Sequence, residues 1–236
     1  MPAGQEELQP DRERPIADVA ICRSICLLKS MNIASIDHLW SSLWETRFVA
    51  GKARMRFELG GEEFDNTVQQ VPRFLQAHRR ASAMADALFT ESCVAVVAWN
   101  GQAPSPAGLH DEVTDGFSAL QSTGFDRPPI SEWQATLYPD PDDEAYVWTL
   151  RSYNLGQDKL ARDTILWHAV ACEMAIYPSA PVVTFLLNPF ESVMLHVYDD
   201  RGMDVLAFEP AKLYGIHTDF ADWLLDHDRE RMEELF

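Results

Sequence analysis

The chain has only four cysteines in 236 residues, and none stands in a Cys-x-x-Cys spacing. That scarcity excludes a disulfide scaffold and a cysteine-rich zinc module, and reduced thiols in a cytoplasmic setting are expected. Cys22 and Cys26, four residues apart, read as small apolar fillers rather than a metal pair. No run of eighteen apolar residues occurs, so no transmembrane helix is expected. The opening Met-Pro-Ala-Gly-Gln-Glu-Glu lacks a basic segment followed by an apolar one, so no secretory leader is expected. The common catalytic signatures are missing too: no Gly-x-Ser-x-Gly, no His-Glu-x-x-His, no Walker loop, no Rossmann glycine pattern. Internal repeats and low-complexity segments are absent.

Positive charge is also scarce, and unevenly so. Residues 1–100 carry 11 Lys/Arg against 13 Asp/Glu, a balance of −2, whereas residues 101–236 carry 8 against 24, a balance of −16. Such a field repels nucleic-acid phosphates. It attracts a basic protein and speeds the encounter. With 47% hydrophobic residues and seven Trp, the chain can build a sizeable core without disulfides or metals.

Hydrophobic periodicity sets the expected elements. Residues 1–16 read as an unstructured tail and 17–50 as a helical N-terminal extension, with Asp37 as a candidate cap of its second helix. Residues 51–236 read as one α/β domain. Within it, Arg54–Gly60 is expected to form a strand with Met55, Phe57 and Leu59 on one side and Arg54, Arg56 and Glu58 on the other. A helix follows from Pro72 to residue 90, then an apolar central strand at Cys93–Trp99. Later come a short helix, two strands flanking an acidic linker, and the helix Asp158–Ile176. Three closing strands and a last helix capped by Thr218 complete the order. Crossovers mixed with hairpins predict an α/β or α+β fold: one mixed, partly antiparallel sheet flanked by helices.

The segment Tyr198-Asp199-Asp200-Arg201-Gly202-Met203-Asp204 stands out. It joins two alternating apolar runs and crowds three acids and one base at an expected hairpin. Turn chemistry accounts for much of this, with Asp199 accepting backbone amides and Gly202 supplying a positive φ. The segments Arg56-Phe57-Glu58-Leu59-Gly60 and Tyr198–Asp204, together with Arg80, Phe89 and the stretch after Tyr214, resemble the bacterial family catalogued as domain of unknown function 3885. The resemblance implies recurrence of these anchors, not a reaction. We expect Arg56 and Glu58 to pair with Asp199, Asp200, Arg201 or Asp204 across the sheet, making the signature a structural network.

Candidate chemistry is thin. His168 and Cys172 share a helix face but lie in an apolar stretch, where a thiol is usually inert. The linker acids Asp140, Asp142, Asp143 and Glu144 lack the spacing of a calcium loop. With Tyr146 and Trp148 beside them they read as a partner-binding surface. The expected function is therefore a non-enzymatic, cytoplasmic immunity protein that neutralises a basic, secreted bacterial toxin. No metal, cofactor, nucleic-acid or membrane partner is expected. The alternative is a metal-assisted or acid–base hydrolase with Asp199, Asp200, Asp204 and Glu58 as carboxylates and His168 or His196 as base.

Overall fold

A computed structural model describes residues 35–47, 53–101, 115–138 and 146–236, all within one compact unit, Ala34–Phe236. Its elements are α1 (Ile36–Thr46), β1 (Arg54–Glu58), α2 (Gln70–Leu88), β2 (Val94–Trp99), α3 (Gly116–Ser122), β3 (Ser131–Thr136) and β4 (Val147–Asn154). They continue with α4 (Lys159–Ala171), β5 (Val183–Asn188), β6 (Val193–Val197), β7 (Gly202–Ala207), α5 (Tyr214–Asp219) and α6 (Arg229–Glu233). The tail expected at 1–16, residues 17–34 of the expected helical extension with Cys22 and Cys26, and the acids Asp140, Asp142, Asp143 and Glu144 lie outside the described residues.

The α/β class with one helix-flanked sheet is as expected. Within it, the sheet is antiparallel at every pairing among the described strands rather than mixed, in the order β1-β7-β6-β5-β2-β4-β3. α2, α3 and α4 each join strands that point the same way but are not neighbours, and the strands lying between them complete the antiparallel order. β7 is buried along its whole length, between β1 and β6.

The period-2 alternation sorts side chains onto two faces. Met55, Phe57, Ala95, Val97, Leu195, Val197, Met203 and Val205 join the core built with α2 and α4. Val94, Val96, Ala98, Phe185, Leu187, Met194 and Leu206 form a second core under α1. α1 reaches that face with Leu39, Trp40, Leu43 and Trp44, the i, i+1, i+4, i+5 stripe of an amphipathic helix. Asp37 sits in its first turn, where it favours the helix dipole, but the capping position belongs to Ser35. Trp44 meets Phe185 edge-on at 5.0 Å, and its indole N–H donates to the Leu137 carbonyl at 2.9 Å.

Two helices start on conventional caps. Asp158 accepts from the Ala161 amide at 3.0 Å, and Asp115 accepts from Phe117 and Ser118. α4 ends at Ala171 rather than Ile176.

The C-terminal segment differs more. Thr218 caps nothing; it sits inside α5, and its hydroxyl donates to the Tyr214 carbonyl. A single long helix is prevented because Leu224 forms a bridge to Phe57 and the Leu225 amide donates to the Arg56 carbonyl at 3.0 Å. The chain is pulled extended there to cover the outer edge of β1, an edge that would otherwise be open to pairing with another chain.

The packing of α1 predicts that Trp44→Ala lowers stability by about 3–5 kcal/mol, as for a large buried aromatic. Urea denaturation checks this, and a loss below about 1 kcal/mol would show that α1 is not integral to the domain.

Candidate functional site

The two charged sequence motifs meet in register. Arg56 lies opposite Asp204, Phe57 opposite Met203 and Glu58 opposite Gly202. The Leu59 amide donates to the Arg201 carbonyl at 3.0 Å. Alternation puts Arg54 and Arg56 on the α1 face together with Asp204 and His196, itself opposite Asp204 on the next strand.

Asp204 is 1% exposed, and its carboxylate collects the arginines. Arg54 approaches at 2.9 Å, Arg56 at 3.4 Å, and Arg47, delivered by the end of α1, at 3.9 Å. Arg47 also stacks its guanidinium over Trp44 at 4.5 Å, a cation–π contact that fixes it. Arg56 reaches Asp228 as well, at 2.7 Å, so the C-terminal segment supplies a second counter-charge.

The other two aspartates are also committed. Asp199 accepts from the Arg201 amide at 2.7 Å and from Arg201 Nε at 2.8 Å. Asp200 pairs with Arg73 of α2, which also donates to the Gly61 carbonyl at 2.6 Å and the Phe64 carbonyl at 3.1 Å. Arg80, one of the family anchors, donates to the Glu58 and Leu59 carbonyls, both at 3.2 Å. Glu58 gives its carbonyl to Arg80, and among the described residues no ion pair joins its carboxylate to the second motif.

Gly202 is glycine for a different reason than a turn. It is absent from the positive-φ residues and belongs to β7. A Cβ there would run into the Tyr198 hydroxyl and stand 2.8 Å from the Phe57 carbonyl. Close approach of β1 and the Tyr198 ring excludes any side chain. Gly60 is constrained likewise, since a Cβ would lie 2.6 Å from Arg73 Nη2.

The bend between β6 and β7 does not project into solvent. Asp199, Asp200 and Asp204 are all buried. At this end of the sheet lies a cavity of about 390 Å³, lined in part by Arg47, Arg54, Arg56, Tyr138, Trp148, His196, Tyr198, Asp199, Arg201 and Asp204. Asp200 is not among its walls. Of the expected partner-binding residues, Trp148 lines the cavity, while Tyr146 is exposed and outside it.

His196 is 1% exposed, and its ring stacks on Phe185 at 4.5 Å. Its Nδ1 donates to the Thr184 carbonyl at 3.0 Å, because a carbonyl only accepts. That fixes Nε2 as an acceptor, and it has no protein partner. Burial pulls the imidazole down to about 4, despite the Thr184 bond and Asp204. His168 lies elsewhere, against Thr123 at 3.0 Å, and burial pulls it to about 4 as well.

His168 and Cys172 do not form a dyad. Cys172 Sγ donates to the Tyr198 carbonyl at 3.3 Å, and burial, with Asp199 and Glu173 adding, pushes the thiol up to about 12. Among the described residues no three His, Cys, Asp or Glu side chains form a metal-holding group. No helix among them is long and apolar enough to cross a membrane.

The residue that sequence reasoning missed is Arg73. Its signal was present: Arg73, Gln76 and Arg80 follow i, i+3, i+7 spacing on α2, one polar line beside an apolar stripe. Gln76 completes it by donating to the Gly60 carbonyl at 2.6 Å.

These features define the class: an antiparallel α/β domain whose two charged motifs interlock at one end of the sheet and wall a cleft. The family model described as domain of unknown function (DUF3885) matches residues 34–228, and the chain belongs to that family. The match includes α1. No curated protein and no solved structure gave a significant match.

Burial decides which arginine matters most for stability. The Arg73 side chain is 10% exposed and its partner 9%, so Arg73→Ala strands a buried carboxylate and should cost about 3–5 kcal/mol. Arg201 is 62% exposed, so solvent screens its pair, and Arg201→Ala should cost only about 1 kcal/mol. Thermal melts of the two variants check the order; equal losses would contradict it.

The buried imidazoles also set an acid limit. Both favour the neutral form when folded, so their contribution is intact above about pH 6.5, the ordinary histidine value. It is lost as pH falls towards 4, by roughly 3 kcal/mol for each histidine. Urea melts at pH 7.5 and 4.5 should show this loss, and His168→Gln should recover part of it at pH 4.5.

Proposed function

We propose that this chain acts by binding a protein partner rather than by hydrolysis. The observation that carries the reading is that each aspartate of the Tyr198–Asp204 segment is already engaged by an arginine. A general base or metal ligand needs a carboxylate with an open lone pair facing its substrate. Asp199 and Asp200 have theirs spent on holding the fold, and Asp200 faces away from the cavity walls.

The partner surface lies at the ends of β3 and β4, which carry the acidic linker 139–145 between them. Tyr138, Tyr146 and Val147 flank that linker, and all three are more than 40% exposed. Exposed aromatics beside acids suit an interface in which aromatic anchors carry affinity and acids steer a basic partner. The −16 balance of residues 101–236 supports the same chemistry. The finer reading is an immunity protein that occludes a basic bacterial toxin.

One observation favours hydrolysis: the motif walls a cavity in which His196 faces Asp204 across adjacent strands. That pair alone supplies no nucleophile or leaving-group acid, and the Asp199/Asp200/Asp204 triad is not assembled around it.

The test replaces Asp140, Asp142 and Asp143 by Asn and Glu144 by Gln. In cells producing a basic candidate toxin, the unaltered protein should protect and the quadruple variant should protect less. In solution the variant should associate about tenfold more slowly at low salt, with the gap closing as salt rises. No protection and no stoichiometric complex would overturn the reading.

A further inference from the structure

One polar atom in the wall of the cleft has no partner in the fold. His196 is 1% exposed and lines the cavity. Its Nδ1–H is spent on the Thr184 carbonyl, and Nε2, an acceptor, meets no donor among the described residues. Asp204, opposite on β7, cannot serve it, because a carboxylate only accepts. The ring is held by Phe185, stacked at 4.5 Å, and by Trp44, edge-on at 5.1 Å. A buried polar atom left in this way costs on the order of 1–3 kcal/mol.

The charged groups of the cleft make no such demand. Arg47, Arg54 and Arg56 pair with Asp204 and Asp228, and Arg201 pairs with Asp199 and Glu173, four guanidiniums against four carboxylates. An occupant therefore needs no net charge. The remaining wall includes Tyr138, Trp148, Val182 and Val183, two rings and two branched apolar side chains. Such walls favour a flat apolar body, and a planar guanidinium can stack on the face of a ring. The volume, about 390 Å³, is at the small end of the range of small-molecule sites.

We propose that the cleft binds a small, uncharged aromatic molecule that donates one O–H or N–H hydrogen bond to His196 Nε2. The ring lies against Tyr138, Trp148 and the two valines. Selectivity comes from the acceptor: an apolar ring without a donor fills the same volume but leaves Nε2 stripped of water and unpaired. No partner protein enters the test below, so its failure leaves the partner reading standing.

The probes are phenol, indole and toluene, titrated calorimetrically into the full chain. Phenol or indole should bind with a Kd below about 1 mM. Toluene matches phenol in shape but lacks the donor, and it should bind at least about tenfold more weakly than phenol. A cavity without a usable acceptor gives the opposite order, because the phenol hydroxyl would be buried unpaired. A long-range proton–nitrogen correlation spectrum of the histidine rings gives a readout independent of affinity. The acceptor nitrogen of one imidazole should shift on adding the donor probe and stay in place with toluene, and that signal should persist in His168→Gln. Trp148→Ala, shown to be folded by its melt, should weaken the donor probe at least about threefold. Absence of heat from both phenol and indole at about 10 mM would overturn the proposal. So would toluene binding as tightly as phenol, an acceptor nitrogen that does not move, or unchanged affinity in folded Trp148→Ala; a buried water would then be the partner of Nε2.

Discussion

A carboxylate in the middle of a sheet is the constraint from which the rest of this end of the molecule follows. Asp204 sits on β7, a strand with neighbours on both sides and cover on both faces. A charge there has lost its water, and only close counter-charge makes it tolerable. The adjacent strand supplies Arg54 and Arg56 by simple alternation, and α1 brings Arg47 from above. Asp228, from the C-terminal segment, gives Arg56 a second carboxylate. The extended residues Leu224 and Leu225, the edge cover of β1 and the placement of α1 are thus tied to one side chain.

The same logic explains why two short motifs so distant in sequence belong together. Arg56–Gly60 and Tyr198–Asp204 are cross-strand partners, and α2 clamps both from the other face. Arg73 reaches past Gly60 to Asp200, while Arg80 holds the carbonyls of Glu58 and Leu59. Gly60 and Gly202 make room, one for a guanidinium and one for a phenol. Side chains with fixed, planar donor geometry are suited to such clamps, which is why arginine rather than lysine recurs here.

Much of the scaffold was legible in the sequence because its signals were local. The alternation Arg54-Met55-Arg56-Phe57-Glu58, the Trp40/Trp44 stripe and the Asp158 cap each follow from spacing within a few residues. Arg56 was expected to meet one of Asp199, Asp200, Arg201 or Asp204, and Asp204 is the one it meets. What was not legible depended on distant contacts. Gly202 looks like a turn glycine until Tyr198 and Phe57 are seen to occupy its missing Cβ. Thr218 looks like a cap until Leu224 is drawn onto β1. The antiparallel direction of the whole sheet rests on where α2, α3 and α4 return the chain, and periodicity carries no information on that. His196 was a candidate base from the sequence, one of two; only the register shows that it, and not His168, opposes Asp204.

A net charge of −18 and a cleft rich in arginine are compatible because they act over different distances. At physiological ionic strength exposed charges are screened beyond about 8 Å, so the acidic exterior governs encounter but not the short-range forces inside a recess. The long-range field acts on whatever approaches the exterior, whereas the cleft acts only on what enters it. A small anion gains nothing from the exterior field and must rely on guanidiniums within hydrogen-bond reach, where partial burial weakens the screening. A field of this sign repels polyanions such as nucleic acid and attracts basic groups.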